Sequence, residues 1–336
     1  MGNLRIIIWI YVIHFCSLHF HVNCVRPTYQ FTTKLSFIGA NASGAEALAF
    51  DYSGGCPFAG VADGRILKYN CPSLGFQDFA TTSPFRTKEE CDGKPAPKCG
   101  RVAGLGIDYS SGGNLYTLDV FFGFFVVPPS GGAAIPVATG YNGTNFSLPN
   151  ALDIDQASQY FTDAEKLFLT GNHTAIFASN DTEGKVYKYD IKTEELTLLV
   201  DGLTGPAGLA VSEDGDYLLI AEFMKKRIQK FWLTGKRANS LETLITLPGA
   251  PDNIKNCKRR FLGGVRVSKP ETVEIVEAIG MMFNGVGRIL ETLNFTSEYN
   301  GRMVEEVQEF SSKLYLAAAS SNFVGVDRDD FNHLRL

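Results

Sequence analysis

The chain is poor in histidine, and this limits the chemistry that it can carry. Only 5 of its 336 residues are histidine. Those outside the first 21 residues are His173 and His333. A Ser-His-Asp triad needs a histidine in the core. A hydrolytic site in which histidine activates a water molecule has the same requirement. The chain also has no CxxC pair, so neither a hydrolytic triad nor a zinc site is expected.

The chain also lacks an excess of positive charge. Its 31 basic and 36 acidic residues give a net charge of −5. A surface that binds nucleic acid needs a basic excess to neutralise phosphates. Nucleic acid is therefore not expected as a partner.

No apolar run is long enough to predict a spanning helix with any clarity. The longest such stretch, residues 6–20, is short and is interrupted by His14 and His19. Residues 1–24 are best interpreted as a secretory signal peptide, with an uncleaved anchor as the alternative. Residues 25–336 would then form one closed domain with no stable membrane association.

A sequence repeat made of short strands accounts for most of the remaining chain. Residues 205–235 read as three strands separated by turns, because apolar runs at 209–211, 217–221 and 228–233 flank Glu213-Asp214-Gly215. Similar units start near residues 45, 102, 149, 206, 251 and 304, at spacings of 57, 47, 57, 45 and 53. This period predicts an all-β, six-bladed β-propeller with four-stranded blades and the first strand of each blade innermost. A monomer is expected.

Two further patterns fit a secreted chain. Cys91 and Cys99 bound a short loop rich in Pro, Lys and Gly, where a disulfide can stiffen a segment that has no core. Six Asn-x-Ser/Thr sequons indicate passage through the endoplasmic reticulum, at Asn41, Asn142, Asn145, Asn172, Asn180 and Asn294. The secretory route would lead to the vacuole or to the extracellular space.

Segments that together span nearly the whole mature chain match one known family: GAEALAFD (44–51), DGRILKY (63–69), the Cys91–Cys99 loop with Gly100-Arg101, YFTD (160–163), GKVYKYD (184–190), GPAGLAVSEDGDYLLIAEF (205–223), RIQKFWLTG (227–235), PDNIK (251–255) and VEEVQEF (304–310). In these segments the chain resembles the strictosidine synthase-like family of plants, six-bladed propellers related in fold to paraoxonases and gluconolactonases.

The resemblance implies a Pictet–Spengler condensation of a small-molecule amine with an aldehyde, in which one glutamate is the general acid and base and no cofactor is required. That glutamate falls on Glu305. Strand alternation would place Glu305 on the tunnel face and Glu306 on the opposite face. Glu305 should then line the same cavity as Phe223 and Met303, where burial would raise its pKa. The alternative is a charged strand at the tunnel mouth.

The expected substrate pocket departs from the family pattern. The substrate-binding positions are Phe223, Met303, Leu148 and Val304. Where the synthases place aromatic residues or a histidine, this chain has Ala103, Leu148, Asn150, Met303 and Val304. An indole-sized amine needs aromatic walls. The substrates are therefore expected to differ from tryptamine and secologanin.

A second set of residues matches the axial calcium site of metal-dependent hydrolases in this propeller group. These residues are Glu46, Asn150, Asp252 and Asn253, and oxygen donors from different blades suit Ca²⁺. One ligand is missing, because this chain has Pro206-Ala207-Gly208 where those enzymes offer an asparagine. The alternative is that these side chains cap strand ends with hydrogen bonds.

Three hypotheses therefore follow from the sequence. Glu305 favours an amine lyase of the strictosidine synthase type. The set formed by Glu46, Asn150, Asp252 and Asn253 favours a metal-dependent lactonase or esterase. The lost aromatic residues favour a secreted propeller that binds without catalysis.

Overall fold

A computed structural model describes residues 33–42, 44–51, 55–110, 112–155, 158–165, 181–268, 275–299 and 302–327. The expected signal peptide lies outside these residues. The described chain is almost entirely β-structure, and its helices are single turns, at Ile38–Ala40, Cys71–Leu74, Lys88–Cys91, Pro97–Cys99 and Gly235–Arg237. No helix among the described residues is long and apolar enough to span a membrane.

The first described strand is β1 (Thr33–Ser36), and the first three blades follow it. Blade 1 contains β2 (Ala47–Phe50), β3 (Pro57–Gly60), β4 (Arg65–Tyr69) and β5 (Phe76–Thr81). Blade 2 contains β6 (Val102–Asp108), β7 (Asn114–Asp119), β8 (Gly123–Val127) and β10 (Ile135–Ala138). The two-residue strand β9 (Gly132–Ala133) pairs in parallel with β5, and β11 (Gly140–Tyr141) forms a hairpin with β12 (Thr144–Asn145). Blade 3 contains β13 (Pro149–Ile154), β14 (Ser158–Asp163), β15 (Gly184–Asp190) and β16 (Glu195–Leu203).

The second half of the chain forms three more blades. Blade 4 contains β17 (Pro206–Val211), β18 (Tyr217–Glu222), β19 (Arg227–Trp232) and β20 (Leu241–Thr246). Blade 5 contains β21 (Ala250–Cys257), β22 (Arg260–Ser268), β23 (Ile275–Asn284) and β24 (Ile289–Asn294). Blade 6 contains β25 (Glu306–Phe310), β26 (Lys313–Ala317) and β27 (Phe323–Asp327).

The predicted six-bladed β-propeller is confirmed. The first strand of each blade contacts the first strands of its two neighbours, so these strands form the inner ring. They begin at residues 47, 102, 149, 206, 250 and 306, within two residues of the repeat starts read from the sequence. The local turn and strand pattern therefore located the inner ring.

The sixth blade is completed by the beginning of the described chain. Strand β1 pairs antiparallel with β27, in the register Thr33↔Val326 to Ser36↔Phe323. The outermost strand of blade 6 thus comes from the opposite end of the sequence. This pairing closes the ring, because it couples blade 6 to the segment that leads into blade 1.

The apolar core is divided among the interfaces between blades. The cluster between blades 1 and 2 includes Ile66 and Leu105, and the cluster between blades 5 and 6 includes Leu262 and Leu316. A sheet buries both faces only when another sheet stands on each side. The repeated stacking therefore supplies the core that no single blade could form.

A disulfide and an ion-pair network fasten the loop that precedes blade 2. Cys91 and Cys99 are bonded, with Cα atoms 5.6 Å apart. Below the loop, Asp63 accepts hydrogen bonds from Arg65 Nη2 at 2.6 Å and from the Gly93 backbone N–H at 2.8 Å. Arg65 also donates to the Ala40 carbonyl at 2.9 Å. The network holds the disulfide loop and the segment after β1 against blade 1.

Candidate functional site

Charged side chains from four blades converge where the inner strands begin. We call this set the axial site: Glu46, Arg101, Asp252, Arg266 and Glu305. Four of them stand at or beside the start of an inner strand, whereas Arg266 lies on the second strand of blade 5. Inner strands begin together at one end of a propeller ring, so residues far apart in sequence become neighbours.

Glu305 is held in the wall of this site by three backbone contacts. Its N–H donates to the Ala317 carbonyl at 3.1 Å, and its own carbonyl accepts from the Asn253 N–H at 3.0 Å. The carboxylate oxygen Oε2 accepts a hydrogen bond from the Ala319 N–H at 2.7 Å. The residue is only 3% exposed. One carboxylate oxygen is therefore fixed in position.

The surroundings of Glu305 favour its protonated form. Burial raises the pKa of Glu305 well above its ordinary value, and the neighbouring charges of Asp252 and Glu46 raise it further. The Ala319 N–H and the Arg101 guanidinium act in the opposite direction. The carboxyl group is thus poised to hold a proton at a pH at which an exposed glutamate would not.

Asp252 has the same kind of environment. Burial and the charge of Glu46 raise the pKa of Asp252 to about 8, against the opposing charges of Arg266 and Arg101. Two acidic groups with raised pKa values in one site are typical of acid–base centres. Both acidic groups of the axial site therefore favour their protonated forms more than exposed carboxyl groups do.

Two arginines supply the positive charge of the site. Arg101 Nε lies 2.7 Å from Glu46 Oε2, and its side chain is 37% exposed. Arg266 is only 4% exposed, and its Nη1 lies 3.9 Å from Met303 Sδ. The charges of the two arginines favour the ionised forms of Asp252 and Glu305, and they partly offset the effect of burial on these two carboxyl groups.

The buried carboxyl group of Asp119 positions the backbone of Arg101. Asp119 Oδ2 accepts the Arg101 backbone N–H at 2.9 Å, and Asp119 Oδ1 accepts the Phe121 N–H at the same distance. Burial raises the pKa of Asp119 to about 6, although hydrogen bonds led by that from Thr82 oppose the shift. This carboxyl group fixes the backbone from which Arg101 reaches Glu46.

The residues expected to bind calcium make hydrogen bonds and an ion pair within the protein. Asn150 Nδ2 donates to the Ala207 carbonyl at 3.0 Å, and Asn253 Nδ2 donates to the Glu46 carbonyl at 3.1 Å. Glu46 is paired with Arg101. Within the described ranges no group of three or more His, Cys, Asp or Glu side chains is arranged to hold a metal. The two asparagines donate through Nδ2 between inner strands, whereas a metal would be bound by their Oδ1 atoms. The calcium site therefore stays a prediction.

Apolar residues form two clusters beside the axial site. Phe223 packs with Ala207 and Ala250, and Met303 packs against this cluster. Leu148 packs with Ala103 in a second cluster that includes Val120 and Ala164. The structure therefore brings Met303 and Phe223 together, as the sequence predicts, and it places Leu148 and Ala103 side by side.

Val304 does not belong to this wall. It is 2% exposed and packs in the core between blades 5 and 6, with residues such as Leu262 and Leu316. Its contacts are those of a core residue, and its role in substrate binding stays a prediction. The chain enters blade 6 here, and strand β25 begins two residues later at Glu306.

Glu306 also faces the inner ring, contrary to the alternation argument. Its carboxylate accepts the Leu48 N–H at 2.9 Å and lies 3.4 Å from Lys255 Nζ. Strand β25 begins at Glu306, so Glu305 lies outside the pleated part of the strand and the period of two does not extend to it. Both glutamates are buried, but they bind different partners.

Sequence reasoning gave no role to Arg101, Arg266 or Glu306. A signal for Arg266 was present, because it is the one charged residue within the otherwise apolar run 261–267 of strand β22. Such a residue is buried only when it has partners of opposite charge. The identity of those partners could not be read from spacing.

The expected modification sites are distributed over the surface. Asn41, Asn142 and Asn145 are exposed, and Asn294 is partly buried. Asn172 and Asn180 lie outside the described residues. The disulfide between Cys91 and Cys99 is present in the structure.

Comparison with known proteins places the chain in a family. Residues 150–236 match the family model described as strictosidine synthase. The chain is 33% identical over 290 residues to Protein STRICTOSIDINE SYNTHASE-LIKE 12 of Arabidopsis thaliana, a match that covers 84% of this chain and 86% of that protein. It is 34% identical over 306 residues to strictosidine synthase of Catharanthus roseus, covering 87% of this chain and 86% of that protein. The chain belongs to the strictosidine synthase-like family.

Solved structures confirm the fold of this strictosidine synthase-like protein. A gluconolactonase from Xanthomonas campestris superposes with a TM-score of 0.63 at 13% identity, covering 90% of this chain and 99% of that chain. The calcium-binding protein regucalcin from Agrobacterium tumefaciens gives a TM-score of 0.61 at 11% identity, covering 90% and 95%. At these identities the likeness concerns the fold alone.

Proposed function

We propose that this strictosidine synthase-like protein is a lyase-type enzyme that condenses an amine with an aldehyde, with Glu305 as its general acid and base. The observation that carries the proposal is the environment of Glu305: a buried carboxyl group, anchored at Oε2 by the Ala319 N–H. Its pKa is raised by burial and by two neighbouring carboxylates. A group that must both donate and accept a proton works best when its pKa is near the working pH.

The proposed reaction has two bond-forming steps. The amine nitrogen attacks the aldehyde carbon, and one proton passes from that nitrogen to the carbonyl oxygen. Protonated Glu305 then gives a second proton to this oxygen, which leaves as water. A ring carbon of the amine substrate then attacks the resulting iminium carbon, and the Glu305 carboxylate takes up the ring proton. The proton returns to its starting place, so the cycle closes with water as the only by-product and without a cofactor.

The neighbours of Glu305 support both of its protonation states. Asp252 and Glu46 stabilise the protonated acid, because a second negative charge nearby would be repelled. Arg101 stabilises the carboxylate once the proton has been given away. These neighbours therefore keep the protonated and ionised forms of Glu305 close in free energy. General acid–base catalysis requires this, because the same group must both donate and accept a proton.

The proposed substrates differ from tryptamine and secologanin. The wall on one side of the axial site is made of Ala103 and Leu148, which offer no aromatic face for an indole ring. Phe223 and Met303 provide the other apolar wall. We further propose that the protein acts as a monomer in the secretory pathway, in the vacuole or outside the cell.

The test is to incubate the purified protein with a panel of amines and aldehydes and to follow condensation products by mass. Glu305→Gln should lower turnover by about 10² to 10⁴-fold, the usual contribution of a general acid–base group. Its matched control is Glu309→Gln, a partly exposed glutamate on the same strand. Equal activity of Glu305→Gln and the wild type on an accepted substrate pair would show that Glu305 is not the catalytic group.

A further inference from the structure

A surface cavity lies beside the axial site, next to the connection between β7 and β8. Its volume is about 450 Å³, and Phe121, Phe122 and Phe146 are among its lining residues. Phe121 is 37% exposed. Phe85, which is 66% exposed, contacts Phe122 with ring centroids 6.1 Å apart. Phe122 is partly buried and Phe146 is buried, so the exposed aromatic surface in this cavity is mainly that of Phe121. A group bound there would remove this apolar surface from water.

Asn145 lies in the wall of the same cavity. It is exposed, and with Phe146 and Ser147 it forms a sequon. It ends the short strand β12, opposite Gly140. The acceptor amide and the exposed aromatic rings therefore share one cavity.

The neighbouring sequon at Asn142 has a different position. Asn142 and Gly143 form the turn of the β11–β12 hairpin, with φ values of 48° and 80°. Asn142 is exposed but is not among the residues that line the cavity. The two sequons thus differ in position. A glycan attached to Asn145 would begin inside the cavity, whereas a glycan attached to Asn142 would begin outside it.

Other described sequons offer less room to a bulky group. Asn41 Nδ2 donates to the Asp92 carbonyl at 3.2 Å, in contact with the disulfide loop. Asn294 is partly buried, and its Oδ1 accepts the Thr296 N–H at 2.9 Å. Asn145 combines exposure with a cavity that a sugar can fill.

We propose that Asn145 carries an N-linked glycan whose first sugars pack over Phe121 and Phe122. In the transfer, Asn145 Nδ2 loses one proton and forms a bond to the anomeric carbon of an oligosaccharide. The bond between that carbon and a lipid-linked diphosphate breaks, and the diphosphate leaves with the electron pair. The attached glycan is bulky and hydrophilic on its outer side. Its carbon-bound hydrogens can cover the aromatic faces, which removes apolar surface from water.

The inference goes beyond the condensation reaction, because it does not depend on Glu305. It requires only that the chain pass through the secretory pathway. Its first test is therefore glycopeptide mapping of the full chain secreted from a eukaryotic host. A glycan on Asn145 is expected, and an unmodified Asn145 in the secreted protein would overturn the proposal.

The second test asks whether the glycan covers the aromatic surface. Asn145→Gln should increase the fluorescence of a dye that binds apolar surface and lower Tm by about 2 °C. Ser147→Ala removes the same sequon while keeping Asn145, so it should behave alike. Asn142→Gln is the matched control and should change neither property.

The role of the aromatic rings is tested by adding Phe121→Ser. In that background, loss of the Asn145 sequon should no longer increase dye binding, because the surface that the glycan covers has been made polar. If the increase persists unchanged, or if Asn142→Gln produces an equal increase, the glycan does not pack on Phe121 and the proposal is wrong.

Discussion

Replacing Asp252 by asparagine should stabilise the protein at neutral and alkaline pH. Asp252 is 9% exposed and lies among the carboxylates of the axial site. Burial and the charge of Glu46 raise its pKa from 3.8 to about 8. Asparagine has nearly the same shape but never ionises. The substitution therefore removes the cost of a buried charge and leaves the packing in place.

The sign and the size of the effect follow from proton linkage. Between about pH 4 and pH 8 the folded protein keeps a proton on Asp252 that the unfolded chain has released. The unfolding free energy therefore falls as pH rises, by up to about 1.4 kcal/mol per pH unit for this one group. Across the whole interval the loss amounts to roughly 4 to 6 kcal/mol, and Asp252→Asn should recover it above pH 8.

The assay is urea unfolding of the wild type and of Asp252→Asn at a series of pH values from 5 to 9. The slope of stability against pH should be shallower in the variant, with the largest difference at the alkaline end. Asp201→Asn, an exposed carboxylate on β16, is the matched control and should leave the slope unchanged. Parallel slopes in the wild type and Asp252→Asn would refute the assigned protonation of Asp252.

Three other substitutions test the fold around the site. Replacing Cys91 and Cys99 by serine should cost about 2 to 3 kcal/mol, since the bond closes a loop with a sequence separation of 8, and urea midpoints that do not move would contradict this. Asp63→Asn should lower the free energy of unfolding by about 3 to 5 kcal/mol in the same measurement. The reason is that Arg65, which is 1% exposed, would keep a buried charge without its main partner. An unchanged urea midpoint would mean that the network does not stabilise the fold. Gly208→Ala should lower the free energy of unfolding by about 1 to 3 kcal/mol, because the added methyl group would collide with the neighbouring inner strand of blade 5. A variant as stable as the wild type would show that the inner strands can move apart.

The sequence by itself determined the repeat and the strands within it. Apolar runs of strand length separated by Gly, Asp and Asn turns are set by local chemistry, so the inner strands of all six blades could be located to within two residues. The Cys91–Cys99 pair could be read in the same way, because its partners are close in sequence. Glu305 was singled out by the resemblance of its segment, residues 304–310, to the family, and the packing of Met303 with Phe223 was predicted from the place of Met303 beside Glu305.

Only the tertiary structure decided how distant segments meet. Strand β1 closes blade 6 by pairing with β27, and nothing in residues 33–36 identifies a partner almost the whole chain away. Arg101 reaches Glu46 from the neighbouring blade, and Arg266 enters the same site from a second strand. A strand pattern states which residues alternate, but the axis around which six blades assemble determines which faces share a cavity. For the same reason Val304 became core and Glu306 became an inner-ring contact, since closure of the ring fixes where the sixth inner strand begins.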